Sequence, residues 1–203
     1  MSNETNVKVI YADPSALGLF GLAMVTWVAS YQKLNPDQGL AYVIPWVIFL
    51  GAFAQLMAAI IDSKKNNAFG MTAFAAYSFF WMAVAMSWLM KLGFFGDKLS
   101  AAIEPKQLGI AFFGYLIFSL FMTIAAVETN KVLFILFILI DLLFLGLGLS
   151  TMGIMKEQMH LLAAYSEVLI ALGSFYGCGA SILNVHFGRV FLPVGKPFGI
   201  FKK

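Results

Sequence analysis

Residues 132–150 read VLFILFILIDLLFLGLGLS, an apolar run in which Asp141 is the one charged residue. About 20 apolar residues in a helix cross the hydrocarbon core of a bilayer, which is roughly 30 Å thick. The run does not alternate between apolar and polar positions, as a strand of a membrane β-barrel does. This stretch therefore predicts a transmembrane α-helix.

Runs of the same kind recur along the chain. We predict six spans, at about 15–31, 40–61, 69–92, 106–127, 132–152 and 160–183. Hydrophobic residues make up 61% of the 203 residues and charged residues 11%, against about 25% charged in soluble domains. The mean hydropathy is +0.87. The sequence predicts an all-α integral protein of the cell (plasma) membrane, with one transmembrane domain over 1–203 that includes polar tails at 1–13 and 186–203.

The basic residues predict the orientation of this bundle. With six spans, the side that holds both termini carries eight of the 13 Lys and Arg residues. They are Lys8, Lys64, Lys65, Lys131, Arg189, Lys196, Lys202 and Lys203. Because cytoplasmic loops are rich in Lys and Arg, both termini are predicted to be cytoplasmic. Every Lys and Arg falls in a predicted loop or tail or, for Lys91 and Lys106, at the very end of a span, so no span interior is expected to offer a cation to a bound anion.

Two polar residues in or next to the first two spans are candidates for binding a solute. Gln55 shares one helical face with Gly51, Ala58 and Asp62. A face of small residues packs on protein, so Gln55 is expected to point inward, either as an interhelical hydrogen bond or as a pore-lining group. Asp13 precedes a proline at the start of the first span, where it suits a helix cap. The same helix N-terminus also suits a carboxylate ligand.

Asp141 and Glu167 are the carboxylic acids deep in the predicted spans. Acids at that depth are costly and face an interior or a water path. Two interpretations stay open for both: proton coupling, or a hydrogen bond at a helix or subunit contact. The two histidines, His160 and His186, lie at opposite ends of the last span. The sequence has no phosphate loop, nucleophile elbow or metal-ligand spacing, so no catalytic residue, metal or cofactor is predicted.

Three local patterns, in order, resemble the acetate uptake transporter family. Residues 13–19 read DPSALGL, which is similar to the family's Asn-Pro-(Ala/Val)-Pro-(Leu/Phe)-Gly-Leu, with Asp13 in place of Asn and Ala16 in place of the second Pro. Residues 69–77 read FGMTAFAAY, and residues 187–195 read FGRVFLPVG. Both are similar to family segments, and the likeness runs from about residue 12 to residue 195.

The resemblance implies a six-helix protomer in a homohexamer, with a path for acetate, and for related small carboxylates such as succinate, in each protomer. By alignment, the family's apolar constriction falls on Leu22, Tyr77 and Ile140. The polar lining residues of the family fall on Gln55, Thr72 and Ser119, hydroxyl and amide groups that carry no charge.

Several functions remain open from the residues alone. The first is carboxylate transport, by a channel or by proton symport. The alternatives are a small neutral-solute or gas channel, an intramembrane enzyme that uses Asp141 and Glu167 as paired acids, and a structural or sensory bundle. No feature of the sequence predicts a nucleic-acid partner.

Overall fold

The computed structural model describes residues 9–201, and this part of the chain is all-α. The predicted tail 1–13 is covered only from residue 9, and Lys8, Lys202 and Lys203 lie outside the described residues. Six long helices follow one another: α1 Ser15–Leu34, α2 Val43–Lys64, α3 Ala68–Lys91, α4 Pro105–Ala126, α5 Lys131–Thr151 and α6 Lys156–His186. A short helix, Asp97–Ala101, lies in the connection before α4.

Five of the long helices, α2 to α6, are long and apolar enough to cross a membrane. The helix α1 falls outside that group because its last turn is polar, with Gln32 and Lys33, and because its glycines and hydroxyl residues add little apolar character. Gly18, Gly21, Thr26 and Ser30 are all buried, and α1 packs along α6 and α2 in the interior of the bundle. At Gly21 the α2 backbone comes so close that a Cβ would overlap the Leu50 carbonyl oxygen.

The ends of three helices differ from the sequence prediction. The first helix continues to Leu34, the second continues to Lys64 and the last begins at Lys156, so Lys33, Lys64 and Lys156 lie in helices. The expectation that loops and tails carry every Lys and Arg is therefore wrong for these residues, of which Lys64 and Lys156 are exposed in end turns and the Lys33 side chain is only 11% exposed. The reason is a partner far away in sequence: the Lys33 ammonium group lies 2.8 Å from a carboxylate oxygen of Glu167, on α6. Burial of the lysine charge within the helix is acceptable because an opposite charge pairs with it.

The helix α2 changes its winding in the middle. Residues Val47–Ala54 form a π-helical segment, and regular α-helix resumes at Gln55. π-Helical turns widen a helix locally and are frequent at functional sites. Within this segment, Gly51 packs closely against Val25 and Trp81. A Cβ at Gly51 would lie only 2.9 Å from carbon atoms of both side chains. This close packing holds the start of the α-helical half of α2 against α1 and α3.

Aromatic rings fill the space between α3, α4 and α5. Tyr77 and Phe80 of α3 contact Phe144 of α5, with ring centroids 6.2 and 5.0 Å from it, and Phe144 is 1% exposed. Tyr115 of α4 stacks on the same ring at 5.5 Å. Aromatic pairs at these separations stabilise packing beyond the area that they bury. The Phe144 ring of this cluster packs directly on the ring of Tyr77.

Candidate functional site

A cavity of about 270 Å³ lies between five of the helices, α1, α2, α3, α5 and α6. Its mouth is at the end of the bundle where α1, α3 and α5 begin and α2 and α6 end. Polar side chains line this mouth: Asp13, Asp62, Asn67, Asn130, Ser181 and Asn184. A cavity of this size is far larger than the space of one water molecule. It has room for a small organic acid together with water.

The inner end of the cavity is closed by three side chains, Leu22, Tyr77 and Ile140. The same three residues also line a second, smaller cavity of about 10 Å³, together with Thr26 and residues of the aromatic cluster. They therefore lie where the two spaces adjoin, and we refer to these three residues as the neck. Each of them is less than a tenth exposed, at 8%, 5% and 4%. At 1.5 Å per residue, Ile140 lies about 14 Å from the start of α5, well inside the bundle.

Gln55 lines the large cavity on its α2 side and is fully buried. The prediction that it points inward is confirmed, and Gly51, Ala58 and Asp62 on the same face are buried too. Neither Nε2 nor Oε1 of Gln55 has a hydrogen-bond partner among the described residues. Buried polar groups are normally paired, so this unpaired amide is a candidate partner for a polar solute or for water in the cavity.

The other two predicted polar lining residues occupy different places. Thr72 is half-buried on α3 and lines neither cavity. The cavity face of α3 is formed by Gly70, Ala73 and Tyr77, and helical periodicity turns position 72 away from it. Ser119 is fully buried on α4, behind the neck, where its hydroxyl lies 3.1 Å from the Tyr77 hydroxyl. Ser119 therefore holds a neck residue in place and does not face the cavity.

Asp13 lies half-exposed at the mouth. Its Oδ1 accepts hydrogen bonds from the backbone N–H of Ser15, at 3.1 Å, and from the Ser15 hydroxyl, at 2.8 Å. The Lys65 ammonium group is 3.6 Å from the same oxygen. Although partial burial acts to raise it, these hydrogen bonds and the positive charge hold the pKa of Asp13 below its usual value. Asp13 is an anion that satisfies the N-terminus of α1, at which Pro14 occupies the cap position.

Sequence reasoning missed Asp62 as a candidate site residue. It was assigned to the polar connection after the second span, yet the helix continues to Lys64 and Asp62 is 1% exposed. Its Oδ1 accepts a hydrogen bond from Asn67 Nδ2 at 3.0 Å, and its Oδ2 has no partner among the described residues. The signal in the sequence was its spacing of two helical turns from Gln55, which puts both side chains on the cavity face.

The two acids that the sequence singled out do not line either cavity. Asp141 Oδ2 lies 2.6 Å from the Thr123 hydroxyl of α4. Glu167 is 1% exposed and forms its ion pair with Lys33 near the opposite end of the bundle from the mouth. The two acids have different partners on different helices, so the structure does not bring them together as a pair.

Comparison with known proteins connects this geometry to transport. Residues 3–195 match the model of the GPR1/FUN34/yaaH family. The succinate-acetate/proton symporter SatP of Escherichia coli (strain K12) is 30% identical over 186 residues, which cover 91% of this chain and 96% of SatP. The ammonia transport outward protein 2 of Saccharomyces cerevisiae is 30% identical over 146 residues, covering 69% of this chain and 51% of that protein.

A solved structure shares the fold. The structure of the bacterial acetate channel SatP superposes with a TM-score of 0.83 at 28% sequence identity, covering 92% of this chain and all of that chain. These three proteins are named as transporters or a channel, and none as an enzyme. Together with the five apolar helices, the likeness shows a multi-pass protein of the plasma membrane.

Proposed function

Because this chain belongs to the GPR1/FUN34/yaaH family, we propose that it carries acetate and related small carboxylates, succinate among them, across the cell membrane through a path in each protomer. The family match confirms the resemblance seen in the sequence. The observation that carries the proposal is the cavity that ends at the neck of Leu22, Tyr77 and Ile140, with a second space beyond it. A large cavity and a small space that share the same three side chains fit a path with a gate between them.

The side chains that line the cavity suit a carboxylate that must be released after it has bound. No Lys or Arg lines the cavity in the part of the chain that the structure describes. Neutral donors, such as the amides of Gln55 and Asn130, hold a carboxylate less tightly than an ammonium or guanidinium group does. Transport requires binding that is weak enough for release. The neck is made of buried side chains, so a small apolar tail passes it with the least movement of those side chains, which favours acids of the size of acetate.

The wider architecture belongs to the same proposal. We propose that all six long helices cross the membrane, α1 protected inside the bundle, and that both termini are cytoplasmic because the side of the mouth carries most of the basic residues. A homohexamer is proposed as the assembly. Asp141 is only partly buried, next to Thr123 of α4. An acid at this depth is more stable at a protein contact than in lipid.

An enzymatic role is not proposed, because the paired-acid arrangement that it required is not formed by Asp141 and Glu167. Channel and proton symport both remain open for the mechanism, and proton coupling at Asp141 or Glu167 stays a prediction. The small neutral-solute or gas channel is the second candidate. It is favoured by the apolar neck, which admits uncharged solutes, and by the likeness to a protein named for ammonia transport.

Uptake of radiolabelled acetate into liposomes that hold the purified protein tests the proposal. We expect initial uptake above that of protein-free liposomes, and a loss of most of this excess in Ile140→Phe, which fills the neck. Ile135→Phe is the matched control, because Ile135 lies on the same helix and is 55% exposed on the outer surface. Equal uptake by the two variants would exclude the neck from the path, and uptake no faster than in empty liposomes would refute carboxylate transport. Ammonia entry, followed with an internal pH dye, tests the second candidate.

A further inference from the structure

We propose that Asp62 and the carboxyl group of the substrate share one proton, so that each carboxylate occupies the cavity together with one proton. This inference rests on the proposed function and names the group that holds the proton in that same cavity. The complex is a single O–H···O hydrogen bond between Asp62 Oδ2 and a substrate oxygen. It forms equally from protonated Asp62 and a carboxylate, or from ionised Asp62 and the undissociated acid.

The first argument is the unpaired oxygen. Asp62 is 1% exposed, lines the cavity and has one carboxyl oxygen occupied by Asn67. The second oxygen, Oδ2, has no donor among the described residues. It rests against Gly70 in the first turn of α3, where a Cβ would overlap it. A buried acceptor without a donor is unfavourable, so a donor that arrives with the substrate relieves this cost once the carboxyl group turns from Gly70 toward the cavity.

The second argument is the charge around Asp62. The charged groups near it are Asp13, before α1, and Lys65, after α2. The other titratable group of the lining, the Tyr77 hydroxyl, is turned to Ser119. Lys65 lies against Asp13, which leaves Asp62 without an ion pair among the described residues. The residues of α5 and α6 that line the cavity carry no charge.

A substrate carboxylate next to an ionised Asp62 is therefore repelled, because two like charges disfavour each other's ionised form. One proton between the two groups removes the repulsion. A hydrogen bond from a carboxylic acid to a carboxylate is also short and strong. The cavity therefore binds the substrate carboxyl group more readily when it shares one proton with Asp62 than when both groups are ionised.

The third argument is the position of Gln55. It lies two turns before Asp62 on α2, about 10 Å deeper along the helix axis and next to the neck. Its amide has both a free donor and a free acceptor. A carboxyl group that carries its proton satisfies both, by accepting from Nε2 and donating to Oε1, whereas a carboxylate satisfies only Nε2. Gln55 therefore receives the protonated acid as it leaves Asp62.

The test is the pH dependence of initial acetate uptake into proteoliposomes, after subtraction of protein-free liposomes. The variant is Asp62→Asn, which keeps the shape of the side chain but can neither lose nor take up a proton. Asp97→Asn is the matched control, since Asp97 is exposed in the short helix before α4. For the wild type, uptake that needs one proton falls by up to about tenfold per pH unit in the alkaline range. The control follows the wild type.

We expect Asp62→Asn to transport acetate with a nearly flat pH profile, and to lose accumulation driven by an inward proton gradient. A steep profile and gradient-driven accumulation in Asp62→Asn would overturn the inference, and all the more so if Asp141→Asn or Glu167→Gln abolished both. Failure of the wild type to exceed empty liposomes would instead refute the proposed function.

A measurement on the wild type keeps the inference testable if Asp62→Asn does not fold. Infrared difference spectra with ¹³C-labelled acetate separate the bands of the substrate from those of the protein. Acetate binding is expected to change the carbonyl stretch of a protein carboxyl group, and Asp62→Glu is expected to shift that band. Acetate binding with no change in any protein carboxyl band would refute the shared proton.

Discussion

The ion pair between Lys33 and Glu167 gives the sharpest prediction about stability. The Lys33 Nζ lies 2.8 Å from Glu167 Oε2, and the side chains are 11% and 1% exposed. Lys33→Met leaves Glu167 buried without its counter-charge. Removing one partner of a buried pair costs about 3–5 kcal/mol, because the remaining charge is neither hydrated nor paired. We therefore expect Lys33→Met to be strongly destabilised.

The reverse substitution is expected to cost less. Lys33 lies one residue before the end of α1, so in Glu167→Met its flexible side chain can reach the water at the membrane surface. Replacing both residues by Met removes both charges together. Such double replacements are often close to neutral or stabilising. We therefore expect the wild type and the double variant to be the most stable, Glu167→Met to be less stable, and Lys33→Met to be the least stable.

Thermal unfolding of the four purified proteins in detergent, followed by tryptophan fluorescence, measures this order. For a chain of this size, 1 kcal/mol corresponds to about 2–4 °C, so Lys33→Met should unfold about 6–20 °C below the wild type. The double-mutant cycle isolates the energy of the pair from the effects of each single change. A Lys33→Met protein as stable as the wild type, or a double variant no better than Lys33→Met, would refute the reasoning.

Two further predictions concern the neck and the mouth. Tyr77→Ala widens the neck and should admit larger acids such as lactate, measured as uptake of labelled lactate. Tyr31→Ala, on the outer surface of α1, is the control and should not admit lactate. Equal lactate uptake by the two variants would remove Tyr77 from the neck. Gly70→Ala places a methyl group against the Asp62 carboxylate and should lower the unfolding free energy by about 1–3 kcal/mol. Gly39→Ala, with open space around it, is the control, and the same unfolding temperature for both variants would contradict this contact.

Helix composition explains how much of the fold could be predicted from the sequence. The apolar runs of α2 to α6 predict these helices because hydropathy is a local sum over about 20 residues. Small residues at helical spacing around Gln55 likewise predict its burial, since one face of one helix is enough for that inference. The places of Leu22 and Ile140 came from resemblance to a family, and composition alone did not distinguish them from the many apolar residues beside them.

The sequence by itself therefore determined that this is a helical membrane protein, that Gln55 faces inward and that acids at depth need partners. Only the tertiary structure decided which partners they have. It paired Lys33 with Glu167, turned Thr72 away from the cavity and brought Asp62 to its mouth. The reason is physical: burial within one helix follows from nearby residues, whereas an ion pair or a cavity depends on how distant helices rotate and slide against each other, and packing over the whole bundle sets those positions.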